Sequence, residues 1–270
     1  MKKLVLVGLL VALCLIVVTP NVQKYLAIRD YYALSQQQGL VAGTTHSIKH
    51  IAFTQANLLE IRLNDEIKSM VNETLLVDDI LFSMQWRMAL GFEVDEIEQI
   101  NSWYQSDVAA RIKQAEGALE SDTFQIKLAQ YIESTKQQNV SEEKLLAVSH
   151  FLSRTRMVER YAHAVLLALK EITIAQLITV DNMSRLQAQR IVNQKASGWL
   201  ATIKPQLSKH LHYRYMYLYQ PFSPGEIAQF GHHYLTGHGQ KELLRYYGAL
   251  NQALISWGEN LAQEIIAKRG

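Results

Sequence analysis

Residues 141–177 read SEEKLLAVSHFLSRTRMVERYAHAVLLALKEITIAQL, and the spacing of their apolar side chains decides the fold class. Leu145, Val148, Phe151, Leu152, Met157, Val158, Tyr161 and Val165 recur at the threes and fours that stack side chains on one face of a helix. Ser141 is placed as an N-cap, with Glu142 and Glu143 in the first turn, where the helix dipole favours acids. The pattern predicts helix as far as Leu177.

The same period extends outward in both directions. Helices are expected over 25–35, 47–64, 65–90, 94–104 and about 108–119, with 36–39 as a polar break and Gly91 as another. A further helix is expected over 181–200. The stripe Ile203, Leu207, Leu211, Tyr215 and Leu218 continues at helical spacing, although the alternation Tyr213, Tyr215, Tyr217, Tyr219 is also what one face of a strand would show. In Ser223-Pro224-Gly225-Glu226, Ser223 caps, Pro224 takes the first helical position and Glu226 closes a capping box. Thr236-Gly237-His238-Gly239 ends that helix, and a last one is expected over 240–267. The expected fold is therefore an all-α helical bundle.

Composition fits this reading. The chain has 270 residues, 49% hydrophobic and 19% charged, which is enough to bury a core and too apolar for a disordered tail. Only 4 Pro and 13 Gly interrupt it. The net charge of +2 gives no global field for nucleic acid or anionic lipid. The single cysteine, Cys14, lies in the hydrophobic leader, so the body has neither a disulfide nor a thiolate site.

The leader itself is Met1-Lys2-Lys3, then Leu4 to Val18 without a charged side chain, then Thr19-Pro20. A basic start before an apolar run is the export pattern. It implies a signal peptide or uncleaved anchor over 1–20, with the body in the periplasm or facing it from the inner membrane, and the N-terminus cytoplasmic if uncleaved. No small-x-small cleavage site follows Val18, and the apolar run is shorter than the roughly 20 residues of a spanning helix.

Two windows align at an offset of 130. Phe92, Glu96, Ile97, Gln99 and Tyr104 match Phe222, Glu226, Ile227, Gln229 and Tyr234, and Arg111 matches Lys241. Gly117-Ala118-Leu119 and Gly248-Ala249-Leu250 follow with one residue inserted. The expected organisation is two related helical halves, 21–140 and 141–270. The second window, Tyr219-x-x-Phe222-Ser223-Pro224-Gly225-Glu226-Ile227-x-x-Phe230 followed by Tyr234-x-Thr236-x-x-Gly239-Gln240-Lys241, resembles the exported bacterial family catalogued as domain of unknown function 2059. The resemblance covers about 203–266 and implies an exported all-helical domain, with Phe222, Ser223, Pro224, Glu226, Tyr234 and Gly239 as its signature. It implies no reaction. His232 and His233 depart from the family's apolar or acidic positions, and in the first window Glu93 and Ala109 replace the serine cap and the glycine.

No catalytic motif emerges. Glu226 and Tyr234, like Glu96 and Tyr104, have the chemistry of an acid–base pair but the positions of a cap and a core residue. His46 and His50 have the i,i+4 spacing of a metal pair without a third ligand. His210, His212, His232, His233 and His238 have no such spacing. No metal and no cofactor are expected. Between Asn182 and Gly225 there is no acid, while Arg185, Arg190, Lys195, Lys204, Lys209 and Arg214 occur there with Trp199 and four tyrosines. Steps of five scatter such charges around a helix, so no single nucleic-acid or lipid patch is expected. The leading expectation is a cell-envelope protein acting by contact with a protein partner, an adaptor or assembly factor. The alternatives are a lipid- or small-ligand-binding domain with the tyrosines around its pocket, and a hydrolase with an unrecognised site.

Overall fold

The computed structural model describes residues 22–121, 123–135 and 141–269. The leader and anchor readings of 1–20 lie outside them. The first helix, α1, spans 22–34. There follow α2 (Gln37–Thr54), a 3-10 turn (Ala56–Leu59), α3 (Asp65–Thr74), α4 (Val77–Gly91), α5 (Val94–Tyr104) and α6 (Asp107–Glu116). A second 3-10 turn (Gly117–Glu120) leads to α7 (Phe124–Thr135). The second half holds α8 (Glu142–Arg154), α9 (Met157–Thr179), α10 (Arg185–Leu218), α11 (Pro224–His233) and α12 (Gly237–Arg269). No strand occurs among the described residues, and the bundle is all-α.

The departures from the expected boundaries have physical causes. The run 141–177 is two helices, because Arg156 adopts a left-handed backbone, φ 49°, and turns the chain between α8 and α9. Gln36 does the same with φ 49°, so the break at 36–39 shrinks to one turn and α2 begins at Gln37. Neither residue is a glycine, so nothing in composition marks the turns. The helix expected over 47–64 ends at Thr54, and the stretch expected over 65–90 breaks at Leu75 and Leu76. Conversely, α10 runs unbroken through Pro205. Ala201 and Pro205 are both exposed, so the carbonyl that proline leaves unpaired lies on the side of α10 open to water. The tyrosine alternation therefore lies on a helix. Phe124, Leu128 and Tyr131, at helical spacing, bury one face of α7, for which no helix was expected.

The centre is α9. Val165, Ala168, Leu169 and Ile172 are essentially inaccessible, and α10 and α12 pack along it. Truncating Leu169 to alanine there costs about 2–5 kcal/mol by the usual cavity penalty. Alone among the described helices, α9 is long and apolar enough to cross a membrane, yet 67% of its apolar window is buried inside the bundle, as in a core helix. α12 also runs beside α4, which joins the two halves through one continuous core.

Residues that align at the offset of 130 meet reciprocally. Lys241 pairs with Glu96 at 2.5 Å, and its counterpart Arg111 pairs with Glu226, the counterpart of Glu96, at 2.6 Å. Lys241 also lies 5.5 Å from the centre of the Phe92 ring, as Arg111 lies 5.7 Å from that of Phe222. Between these pairs the Tyr104 and Tyr234 hydroxyls sit 3.2 Å apart.

Candidate functional site

The signature residues build a helix start and a tight turn. The Ser223 hydroxyl accepts from the Glu226 amide, and the Glu226 carboxylate accepts from the Ser223 amide at 2.8 Å. That amide, Arg111 and the Ser223 hydroxyl together hold the Glu226 carboxyl down at about 2. Pro224 occupies the first turn, and Phe222 is buried beneath Arg111. A Cβ on Gly239 would come 2.2 Å from the His233 carbonyl oxygen, so only glycine lets α12 start this close to the end of α11. The Thr236 hydroxyl accepts from the Gly239 amide at 3.1 Å and closes the turn.

Tyr234 leads inward to a buried polar network. The Glu242 carboxylate accepts from Tyr31 at 2.8 Å and from Tyr104, while its second oxygen faces His233 Nε2 at 2.9 Å. Gln37 donates to the Tyr31 hydroxyl at 3.1 Å. Burial first, then the Glu242 charge, pushes the Tyr31 and Tyr104 hydroxyls well above the usual phenol range. Trp103 covers His233, ring on ring at 3.7 Å. Nearby, Lys113 and Glu116 form a buried ion pair at 2.5 Å, and Tyr219 donates to Glu116 at 2.5 Å. The space between these groups is about 20 Å³, and a neighbouring gap by Arg214 and Tyr247 is about 10 Å³. Neither holds more than about one water molecule. The tyrosines of the second half line a packed core here, and this network, despite its acid–base chemistry, is closed to substrate.

An accessible cavity of about 190 Å³ opens elsewhere, lined by His46, Ser47, His50, Ile51, Gln55, Gln125, Gln206, Leu207 and His210. The His46 and His50 rings lie parallel, with centres 6.4 Å apart. His210 comes from α10 and rests its Nε2 3.0 Å from Arg214 Nη2. Burial foremost, then Arg214, lowers His210 to about 3, and burial followed by His50 and Arg214 also lowers His46. The pair His46 and His50 was visible in the sequence; its meeting with His210 depends on α2 packing near α10. His212 instead approaches the Ser149 hydroxyl at 2.8 Å, His233 belongs to the closed network, and His232 and His238 are exposed. Among the described residues, no group of three or more His, Cys, Asp or Glu side chains is placed to hold a metal ion.

Three of the six cations in the acid-free run pair with acids on other elements. Arg185 pairs with Glu171 at 2.7 Å, Lys195 with Glu60 at 3.1 Å and Lys204 with Glu159 at 3.2 Å, while Arg214 is buried.

The sequence reading missed a surface feature. α4 is apolar on two sides. Ile80, Leu81, Met84 and Met88 enter the core, while Phe82, Trp86 and Leu90 stand 70%, 60% and 73% exposed. At 100° per residue the two sets lie about 180° apart around the helix. The signal was a second i, i+4, i+8 stripe in a segment already assigned to helix.

No family model, no curated protein and no solved structure matches this chain.

Proposed function

We propose that this is a cell-envelope interaction protein, an adaptor or assembly factor, that docks a protein partner through the outer face of α4. The carrying observation is the stripe Phe82, Trp86 and Leu90, exposed on a helix whose opposite face is anchored in the core. Together these side chains present roughly 400–500 Å² of apolar surface, the size of the largest patch on a typical monomer, which is often functional. Apolar anchors at i, i+4 and i+8 are the pattern of a helix that lies in a groove. Asp78 and Asp79, both exposed, head the stripe. The occupant is accordingly a protein with an apolar groove and a basic rim at the end that meets these aspartates; an anionic lipid surface would be repelled there.

The export pattern of the leader and the resemblance of the window 219–241 support placement in the envelope. The reciprocal pairs Glu96–Lys241 and Arg111–Glu226 support an origin of the two halves by duplication. If so, the exposed stripe is a specialisation of the first half.

A photo-crosslinker at position 86, compared with one at position 186, tests the docking face. Leu186 is also 60% exposed, but on α10. One discrete crosslinked species from 86, absent from 186 and lost in Phe82→Glu, is the expected result. Equal products from both positions, or none from 86, would refute it. A product of twice the chain's own mass would replace the partner with a second copy.

A further inference from the structure

We propose that the cavity between α2 and α10 binds a small organic acid, holding its carboxylate with His46, His50 and His210 and its apolar body against Ile51 and Leu207. This site is separate from the α4 face and does not depend on the docking reading.

The lining sets the ligand's charge. It comprises three imidazoles, three glutamine amides and a serine hydroxyl, with no acid among them. All of these groups can donate hydrogen bonds. Behind the wall lies Arg214, 1% exposed. Its guanidinium meets His210 at 3.0 Å and Tyr161 at 3.5 Å, its Nε has no hydrogen-bond partner, and no carboxylate pairs with it among the described residues. A buried cation without a counter-charge is costly, so an anion nearby recovers part of that cost.

Arg214 also fixes the chemistry of His210. A guanidinium only donates, so His210 Nε2 must accept and the ring proton stays on Nδ1. His210 is thus held as a neutral donor. His50, Arg214 and Lys49 act on His46, and Arg214, His46 and His50 act on His210, with no acid among them. An anion beside His46 favours its protonated form, so binding takes up a proton and tightens as pH falls.

Size distinguishes an organic acid from a bare oxyanion. A cavity of about 150 Å³ is enough for benzene. At about 190 Å³, with Ile51 and Leu207 in its wall, this one accommodates a benzoate-sized molecule and leaves inorganic phosphate loosely held.

Calorimetric titration of the full chain with benzoate, benzamide and inorganic phosphate tests the assignment. Saturable benzoate binding is expected, several-fold tighter at pH 5.5 than at pH 7.5, with benzamide and phosphate at least tenfold weaker. His210→Leu, which cannot donate, should weaken benzoate roughly tenfold, as loss of one charge-assisted hydrogen bond does. His46→Gln, at the exposed rim and without a titratable ring, should weaken it at pH 5.5 as well. Benzamide binding as tightly as benzoate would remove the role of charge, and phosphate binding more tightly would remove the organic body. Benzoate affinity unchanged in both histidine variants, or no benzoate binding, would overturn the site.

Discussion

Replacing Glu242 with alanine tests whether the closed network holds the two halves together. The substitution leaves the Tyr31 hydroxyl, the Tyr104 hydroxyl and His233 Nε2 without their acceptor. Glu242 is 2% exposed, so bulk water does not replace it. Each stranded donor costs about 1–3 kcal/mol. Water entering the enlarged space recovers part of this, so the expected loss is about 4 kcal/mol, a large share of the ~5–15 kcal/mol typical of a domain. Urea unfolding followed by circular dichroism should show the midpoint falling by about 1–2 M, at a slope near 2–3 kcal/mol/M. Glu242→Gln retains one acceptor oxygen and should lie between wild type and the alanine variant. Glu96→Ala breaks the half-exposed pair with Lys241 and should cost less than about 1 kcal/mol. If Glu242→Ala costs no more than Glu96→Ala, the network is not what joins the halves.

Other perturbations are expected to separate in the same way. Gly239→Ala forces a Cβ against the His233 carbonyl and should cost about 3 kcal/mol, whereas Ala109→Gly at the aligned position should cost about 1 kcal/mol by helix propensity, both read from urea midpoints. His210 is held at about 3, below its unfolded value near 6.5. Protons therefore bind the unfolded chain first, and the contribution of this group, complete above pH 6.5, is lost as pH falls toward 3, by up to about 1.4 kcal/mol per unit. His210→Gln should flatten the decline in stability between pH 7 and 5. The lowered carboxyl of Glu226 adds a second decline, present above about 4.3 and lost toward 2, which Arg111→Gln should reduce. Amide exchange in α11 and the first turns of α12 should be as slow as in α9. Fast exchange confined to α11 would mean that the network opens.

The parts of this fold legible in the sequence are those fixed by neighbouring residues. The capping box at Ser223 and Glu226 involves residues three apart, so the local pattern was sufficient. The break at Arg156 was not legible, because an arginine in a left-handed conformation is held there by the packing of α8 and α9, not by its own preference. The helix expected over 181–200 and the stripe from Ile203 proved to be one element, because Pro205 sits where its side of α10 faces solvent. The offset of 130 pointed to Glu96, Tyr104, Arg111 and their counterparts, but alignment cannot show that equivalent residues pair with one another across the halves. His210 and His46 lie far apart in the chain, and Glu242, the centre of the network, sits in a stretch whose pattern gives no sign that it is buried. The missed α4 stripe is different: its period was present, but a helix with two apolar faces needs the structure to say which one the core takes.

The placement of polar groups bears on what kind of protein this is. A carboxylate, an imidazole and three phenols in contact are the raw material of acid–base catalysis. Here the free space beside them is about 20 Å³, Trp103 covers His233, and both oxygens of Glu242 are occupied. A polar network deep in a core specifies how elements meet. This one draws on α1, α2, α5, α11 and α12, the elements through which the two halves interlock. Two features that face outward are the α4 stripe, a rigid apolar ridge, and the histidine cavity, behind which lies the buried Arg214. Both are recognition features, the one by apolar contact and the other by hydrogen-bond donors around an apolar wall, and contact and binding are the activities we propose.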